Sequence, residues 1–185
     1  MTEWFDTGLK DEAEPPNLSN LYSGEYAETT NLIQSLSVKL AVSGKTVYVG
    51  KRDGHLFQSF DEGDTWNDLT LKLPFASVDF NAIVFAGSTV YVATNRGVAY
   101  SEDGTTWQAA TDDDGGQLVM NRLIVEGATV YGIAGQHVYR LKENSDTWEQ
   151  VTPEIPDIAF SLAIDANTLY VGTAGRGVLR FALDE

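Results

Sequence analysis

Apolar residues in this chain come in short β-rich runs separated by Gly, Asn, Ser and Lys, and the runs recur in a fixed order. The clearest are Thr46-Val47-Tyr48-Val49-Gly50, Thr89-Val90-Tyr91-Val92-Ala93, Thr129-Val130-Tyr131-Gly132-Ile133 and Thr168-Leu169-Tyr170-Val171-Gly172. β-Branched and aromatic side chains pack well on a pleated surface, so each run predicts a strand. A turn precedes each: Ser43-Gly44-Lys45, Ala86-Gly87-Ser88, Glu126-Gly127-Ala128 and Asp165-Ala166-Asn167. Before the turns lie almost continuously apolar stretches, Leu36–Val42, Ala82–Phe85, Leu123–Val125 and Leu162–Ile164, expected as first strands buried on both faces. Third strands are expected at His55–Phe57, Val98–Tyr100, Val138–Arg140 and Val178–Arg180. The spacing of a helix appears nowhere. The chain reads as all-β.

The units are repeats. Trp66, Trp107 and Trp148 stand 41 residues apart, each preceded by threonine. Trp4 falls in the same register if numbering runs on past Glu185 to the N-terminus. A fixed period of roughly 40–45 residues is that of a four-stranded propeller blade. The expected fold is therefore a β-propeller with four blades in a single domain, 1–185. Blades are expected over 32–73, 79–112, 118–153 and 158–185. Residues 2–9 are expected to form the outer strand of the last blade, a velcro closure across the ends of the ring. Asp184 and Trp4 then occupy the Asp and Trp positions of that blade's turn, and residues 10–31 are left as an inserted loop.

The most specific motif lies between the third and fourth strands. Ser59-Phe60-Asp61-Glu62-Gly63-Asp64-Thr65-Trp66 reads S-x-D-x-G-x-T-W, and Ser101-Glu102-Asp103-Gly104-Thr105-Thr106-Trp107 repeats it with one residue deleted. Leu141–Trp148 keeps only an acid and Thr147-Trp148. These turns resemble the Asp-box, or BNR, repeat of sialidases, sortilin-type receptors, xyloglucanases and photosystem II assembly factors. The resemblance covers the chain from about residue 32 to its end. It implies a structural role for Ser59, Asp61, Gly63, Trp66, Ser101, Asp103, Gly104, Trp107, Trp148, Asp184 and Trp4, on the face opposite the ligand. Chemistry agrees: Ser and Asp bond the amides of a following turn, Gly tolerates positive φ, and Trp buries a large face between neighbours.

Composition narrows the function. Net charge is −15, with 12 basic against 27 acidic residues, which opposes binding to a phosphate backbone. No run is long and apolar enough for a membrane span. The absence of cysteine removes thiolate nucleophiles, Cys-based metal sites and disulfides. With no leader visible at Met1–Asp6, a cytoplasmic location is expected if the chain is full length.

The loop face carries the remaining candidates. Arg96 and Arg176 stand at equivalent turns before Gly97 and Gly177, and Arg52 is offset by one residue. Three arginines on this face of a sialidase bind a carboxylate through paired, charge-assisted bonds. Tyr22 and Tyr26 belong to the inserted loop, which is long enough to be functional. A sialidase nucleophile pair and acid/base Asp have no motif here, so no catalytic residue is assigned and no cofactor is expected. Asp112-Asp113-Asp114-Gly115-Gly116 lacks the alternation of a Ca²⁺ loop. His55 and His137 are repeat features of the third strand, so no metal site is expected. The expected role is a non-catalytic binding or scaffold propeller that takes a protein or peptide on this face. Carbohydrate recognition or a glycosidase remnant is the alternative. Both a closed four-bladed monomer and two chains exchanging N-terminal strands into an eight-bladed ring satisfy the repeat, and the chain's own strap favours the monomer.

Overall fold

The computed structural model describes residues 38–76, 79–142 and 145–183, together with Thr7 and Leu9. Among the described residues fifteen strands form four antiparallel meanders, and the protein has the β-propeller fold. The first unit holds β1 (Lys39–Ser43), β2 (Thr46–Gly50), β3 (Leu56–Ser59) and β4 (Asn67–Asp68); the second holds β5 (Phe80–Ala86), β6 (Thr89–Thr94), β7 (Gly97–Ser101) and β8 (Gln108–Asp112). The third holds β9 (Arg122–Glu126), β10 (Thr129–Ala134), β11 (His137–Leu141) and β12 (Thr147–Gln150). The last holds β13 (Ala159–Asp165), β14 (Thr168–Thr173) and β15 (Val178–Ala182). Most of the expected outer strand over 2–9, and all of the loop over 10–31, lie outside the described residues.

Each unit's apolar residues are split between its two faces, so no unit has a core of its own. The core is three layers between units. Ala41, Tyr48 and Leu56 of the first unit pack on Ile83, Val90, Val92 and Trp107 of the second. Leu123, Val130, Leu141 and Trp148 of the third pack on Ala93, Val98 and Ala110 of the second. Leu162, Leu169 and Val171 of the last pack on Tyr131, Ile133 and Val138 of the third. Neighbours thus bury what a single meander would leave wet.

The first strands differ from expectation. They are not buried on both faces: β5 buries Phe80, Ile83 and Ala86 and leaves the residues between them half-buried, while β1 buries only Ala41. The reason is place in the array. β1 packs on β5, β5 on β9 and β9 on β13, and among the described residues β13 and β1 show no comparable packing. A second difference joins units laterally. The start of β12 pairs parallel with the end of β8, Thr147 against Thr111, and fuses the middle units into one eight-stranded sheet.

Candidate functional site

Two ends of the array carry different chemistry. Antiparallel meanders put the turn between third and fourth strands at one end, and the turn between second and third strands at the other.

The first end is built from Ser, Asp and Thr. Ser59 Oγ accepts the amides of Asp61 (3.2 Å) and Gly63 (2.8 Å) and donates to Asp61 Oδ1 (2.7 Å). Asp61 then accepts the amide (2.8 Å) and hydroxyl (2.6 Å) of Thr65. The second turn repeats this: Ser101 Oγ accepts the Gly104 amide (2.9 Å), and Asp103 takes the amides of Thr105 and Thr106, both at 2.7 Å. Gly63 and Gly104 sit at φ 97° and 72°, a conformation that suits glycine. Every carboxylate oxygen is committed to its own turn, which leaves these acids structural. The Thr65 hydroxyl and amide hold Asp61 down to about 2, and the Thr106 and Thr105 amides hold Asp103 lower still. In the third turn Thr147 bonds Ser145 Oγ at 3.0 Å.

Because the folded value of Asp61 lies below the ordinary carboxylate value of about 3.9, its contribution is complete above pH 4 and lost as pH falls through about 2. Asp61→Asn is expected to flatten the dependence of the melting temperature on pH between about 4 and about 2. An unchanged slope in an acid titration followed by circular dichroism would count against this role.

The tryptophans after these turns point between units. Trp107 meets Tyr48 of the preceding unit edge-on, centroids 6.0 Å apart, and Trp148 is 1% exposed. Trp66 is half-buried, its turn close to Thr7. The indole Nε1 of all three is buried without a hydrogen-bond partner among the described residues, so packing alone holds them.

The opposite end gathers the second-to-third turns and the loops between units. Ile155 donates its amide to Gln136 O at 2.7 Å, and Ala174 donates to Ile158 O at 3.0 Å. Asp157 accepts the amides of Gly175 (2.7 Å), Arg176 (2.9 Å) and Ile158 (2.8 Å), contacts that lower its pKa. Arg96 lies in a two-residue turn and Arg176 in a longer one, and the amide of each donates to a threonine hydroxyl, Thr94 at 3.0 Å and Thr173 at 3.2 Å. Both arginines are exposed, and among the described residues neither enters an ion pair. Arg52 is half-buried with partners of its own. Tyr22 and Tyr26 lie outside the described residues.

Other candidates resolve into local structure. Asp112 Oδ1 accepts the amides of Asp114 (3.0 Å) and Gly116 (2.6 Å), while Asp113 pairs with Lys142 of the next unit. The acidic run therefore sits where β8 meets the third unit. His55 Nδ1 lies 3.1 Å from Asp68 Oδ2, beside the stacked ring of Phe57.

Sequence reasoning missed two braces near the inner strands. Asn81 Nδ2 donates to Met120 O (3.0 Å), and Arg122 Nε donates to Phe160 O (2.9 Å). Each crosses to the next unit. Only the partner sequence separation of nearly one repeat could have flagged them.

The sequence matches the profile of the DUF6242 beta propeller domain over residues 24–169. Solved propellers superpose at low identity. YCF48 bound to D1 peptide aligns with a TM-score of 0.59 and 14% identity, over 78% of this chain and 49% of that one. This chain thus spans about half the length of that relative. The computationally designed Ika4 protein aligns with a TM-score of 0.64 and 16% identity, over 80% of this chain and 92% of that one. The GH74 xyloglucanase of Xanthomonas campestris aligns with a TM-score of 0.60 and 19% identity, over 78% of this chain and 28% of that one. No curated protein sequence matches the chain.

Proposed function

We propose that this chain, which belongs to the family of the DUF6242 beta propeller domain, is a non-catalytic binding propeller that takes a protein or peptide on its arginine-bearing face. The observation that carries the reading is the pair Arg96 and Arg176, both exposed, each with its amide on a threonine hydroxyl and its guanidinium in no ion pair among the described residues of a chain with net charge −15. A guanidinium left unpaired amid excess acid is suited to a carboxylate supplied from outside. YCF48, one of the structural relatives, carries a bound peptide. Within this reading the Ser-Asp turns are Asp-boxes, the four units are blades, and the N-terminal strand expected over 2–9 closes a last blade.

The test is titration of labelled acidic peptides, with free and amidated C-termini, against the purified chain. Losing a charge-assisted bond costs about 1.5–3 kcal/mol, so Arg96→Ala with Arg176→Ala is expected to weaken binding at least tenfold. Replacing residues 10–31 by a Gly-Ser linker is expected to reduce it further. Equal affinities for wild type and the double variant would remove the arginines from the site.

The likeness to a xyloglucanase motivates carbohydrate recognition as the second reading. A glycan array with a fluorogenic sialoside assay separates the two. Binding or turnover that disappears in the same double variant would favour the sugar.

A further inference from the structure

Strand register makes the first two junctions between units equivalent residue by residue. Tyr48 pairs with Gln58 across β2 and β3 as Tyr91 pairs with Tyr100 across β6 and β7. At the first junction the Ser-Asp turn of the following unit closes on the pair. Gly104, three residues before Trp107, packs so tightly that an added Cβ would run into Gln58 Nε2, and Tyr48 and Gln58 are each 2% exposed. The cavity beside them is about 240 Å³. At the second junction the turn stands off. Its sequence has lost the Ser and Gly of the motif, and Ser145, exposed, holds the place three residues before Trp148. Tyr91 and Tyr100 stay half-buried, and between them and the turn runs a groove of about 800 Å³. Sites for small molecules have volumes of about 300–1,000 Å³.

The lining of this groove is aromatic and acidic. The rings of Tyr91 and Tyr100 stack on one another, centroids 5.8 Å apart with 25° between planes, and make one π wall. Tyr100 Oη donates to Gln108 Oε1 at 3.1 Å, which fixes that ring. Glu102 and Asp146 also line the groove; both are exposed, and neither enters an ion pair among the described residues. Burial, then the charges of Asp146 and Glu102, raise the pKa of the Tyr100 hydroxyl, which sets both carboxylates near the ring. Among the described residues Lys142 is the one cation of the lining, and its Nζ is held by Asp113. The charge of Glu102 and Asp146 is thus left for something else to balance.

We propose that the groove between the second and third units binds an alkylammonium group, with its charge against the stacked tyrosines and its N–H groups on Glu102 and Asp146. Ring faces attract cations, and a carboxylate strengthens an ammonium hydrogen bond about twofold over a neutral acceptor. The chain itself has little to offer as occupant: Lys10 is the one Lys or Arg outside the described residues, and of the others only Lys142 reaches the lining. Two outside sources share the chemistry, a free diamine and the lysyl side chain of a peptide. The groove lies at the end of the array opposite Arg96 and Arg176, so it does not depend on the binding role proposed above.

Titration calorimetry at low salt with cadaverine, and separately with acetyl-lysine methylamide, tests the assignment. Saturable heat with cadaverine only assigns a free diamine, and heat with the lysine amide assigns a peptide's side chain; none with either would overturn the proposal. Pentanediol, of the same length but uncharged, is expected to give none, and binding equal to that of cadaverine would overturn the choice of a cation. Glu102→Gln with Asp146→Asn is expected to weaken cadaverine binding about tenfold. Asp64→Asn with Asp165→Asn removes the same charge from exposed positions off the groove and is expected to leave binding unchanged. Equal losses in the two double variants would mean diffuse attraction to an acidic chain and would refute the site. Tyr100→Leu is expected to cost about fivefold, and Tyr100→Phe, which keeps the ring, less than about twofold. Lys10→Ala is expected to change nothing; a clear gain in affinity would mean that the chain's own lysine fills the groove, and would overturn an outside ligand.

Discussion

Trp148→Ala is expected to lower the unfolding free energy by about 3–5 kcal/mol, the usual cost of emptying a large aromatic site in a core. The ring is 1% exposed and lies in the layer between second and third units, among Ala110, Leu123, Val130 and Leu141. Its surroundings come from four strands of two units, which limits how far they can collapse into the void. In a chain of this length the loss corresponds to roughly 10 °C or more in melting temperature. The indole makes no hydrogen bond there, so the whole effect comes from packing and area. Trp66 provides the comparison, since it holds the same repeat position but is half-buried. Trp66→Ala is expected to cost clearly less. Urea unfolding of both variants decides; equal losses would mean that the repeat position matters and not the neighbour.

The second large effect is expected from Gly104→Ala. Gly104 sits at φ 72°, where a side chain costs about 1–2 kcal/mol. A Cβ would also run into Gln58 Nε2 and fall 2.7 Å from Tyr48 Oη of the preceding unit. That pair is hydrogen-bonded and buried, and burial raises the Tyr48 hydroxyl to about 12. Overpacking a fixed site adds about 1–3 kcal/mol, so the total is expected near 2–5 kcal/mol. Gly87 separates strain from clash: it has φ 61° and open space around its Cα. Gly87→Ala is expected to show the backbone cost alone, about 1–2 kcal/mol. If both variants melt together, the turn does not touch its neighbour in solution.

Gly104 also shows where sequence reading stopped. Its positive φ follows from the turn motif, because Ser101 and Asp103 fold the local chain on themselves whatever surrounds them. Its contact with Tyr48 and Gln58 does not, since that depends on how two meanders stack. The same division holds at the opposite end. That Arg96 and Arg176 both lie between second and third strands is visible in the Arg-Gly spacing, and the threonine hydroxyls that take both amides are local. That Arg52 is engaged and the acidic run at Asp112 sits against the third unit required the pairing of β8 with β12. The braces from Asn81 and Arg122 were invisible for the same reason, since a side chain donating to a backbone carbonyl leaves no trace in the acceptor's sequence.

What the sequence determined by itself is everything set within one repeat: strands with period two, turns closed by neighbouring side chains, and a tryptophan every 41 residues that has to be buried against something. The identity of that something was decided only by tertiary structure. Packing between meanders sets the curvature of the array, and curvature determines whether β1 meets β13. Among the described residues β13 and β1 show no packing like that between inner units, and Leu40, Val42 and Tyr170 are open where their repeats are closed. Local sequence cannot record that difference, because the four units share nearly the same pattern while their neighbours differ.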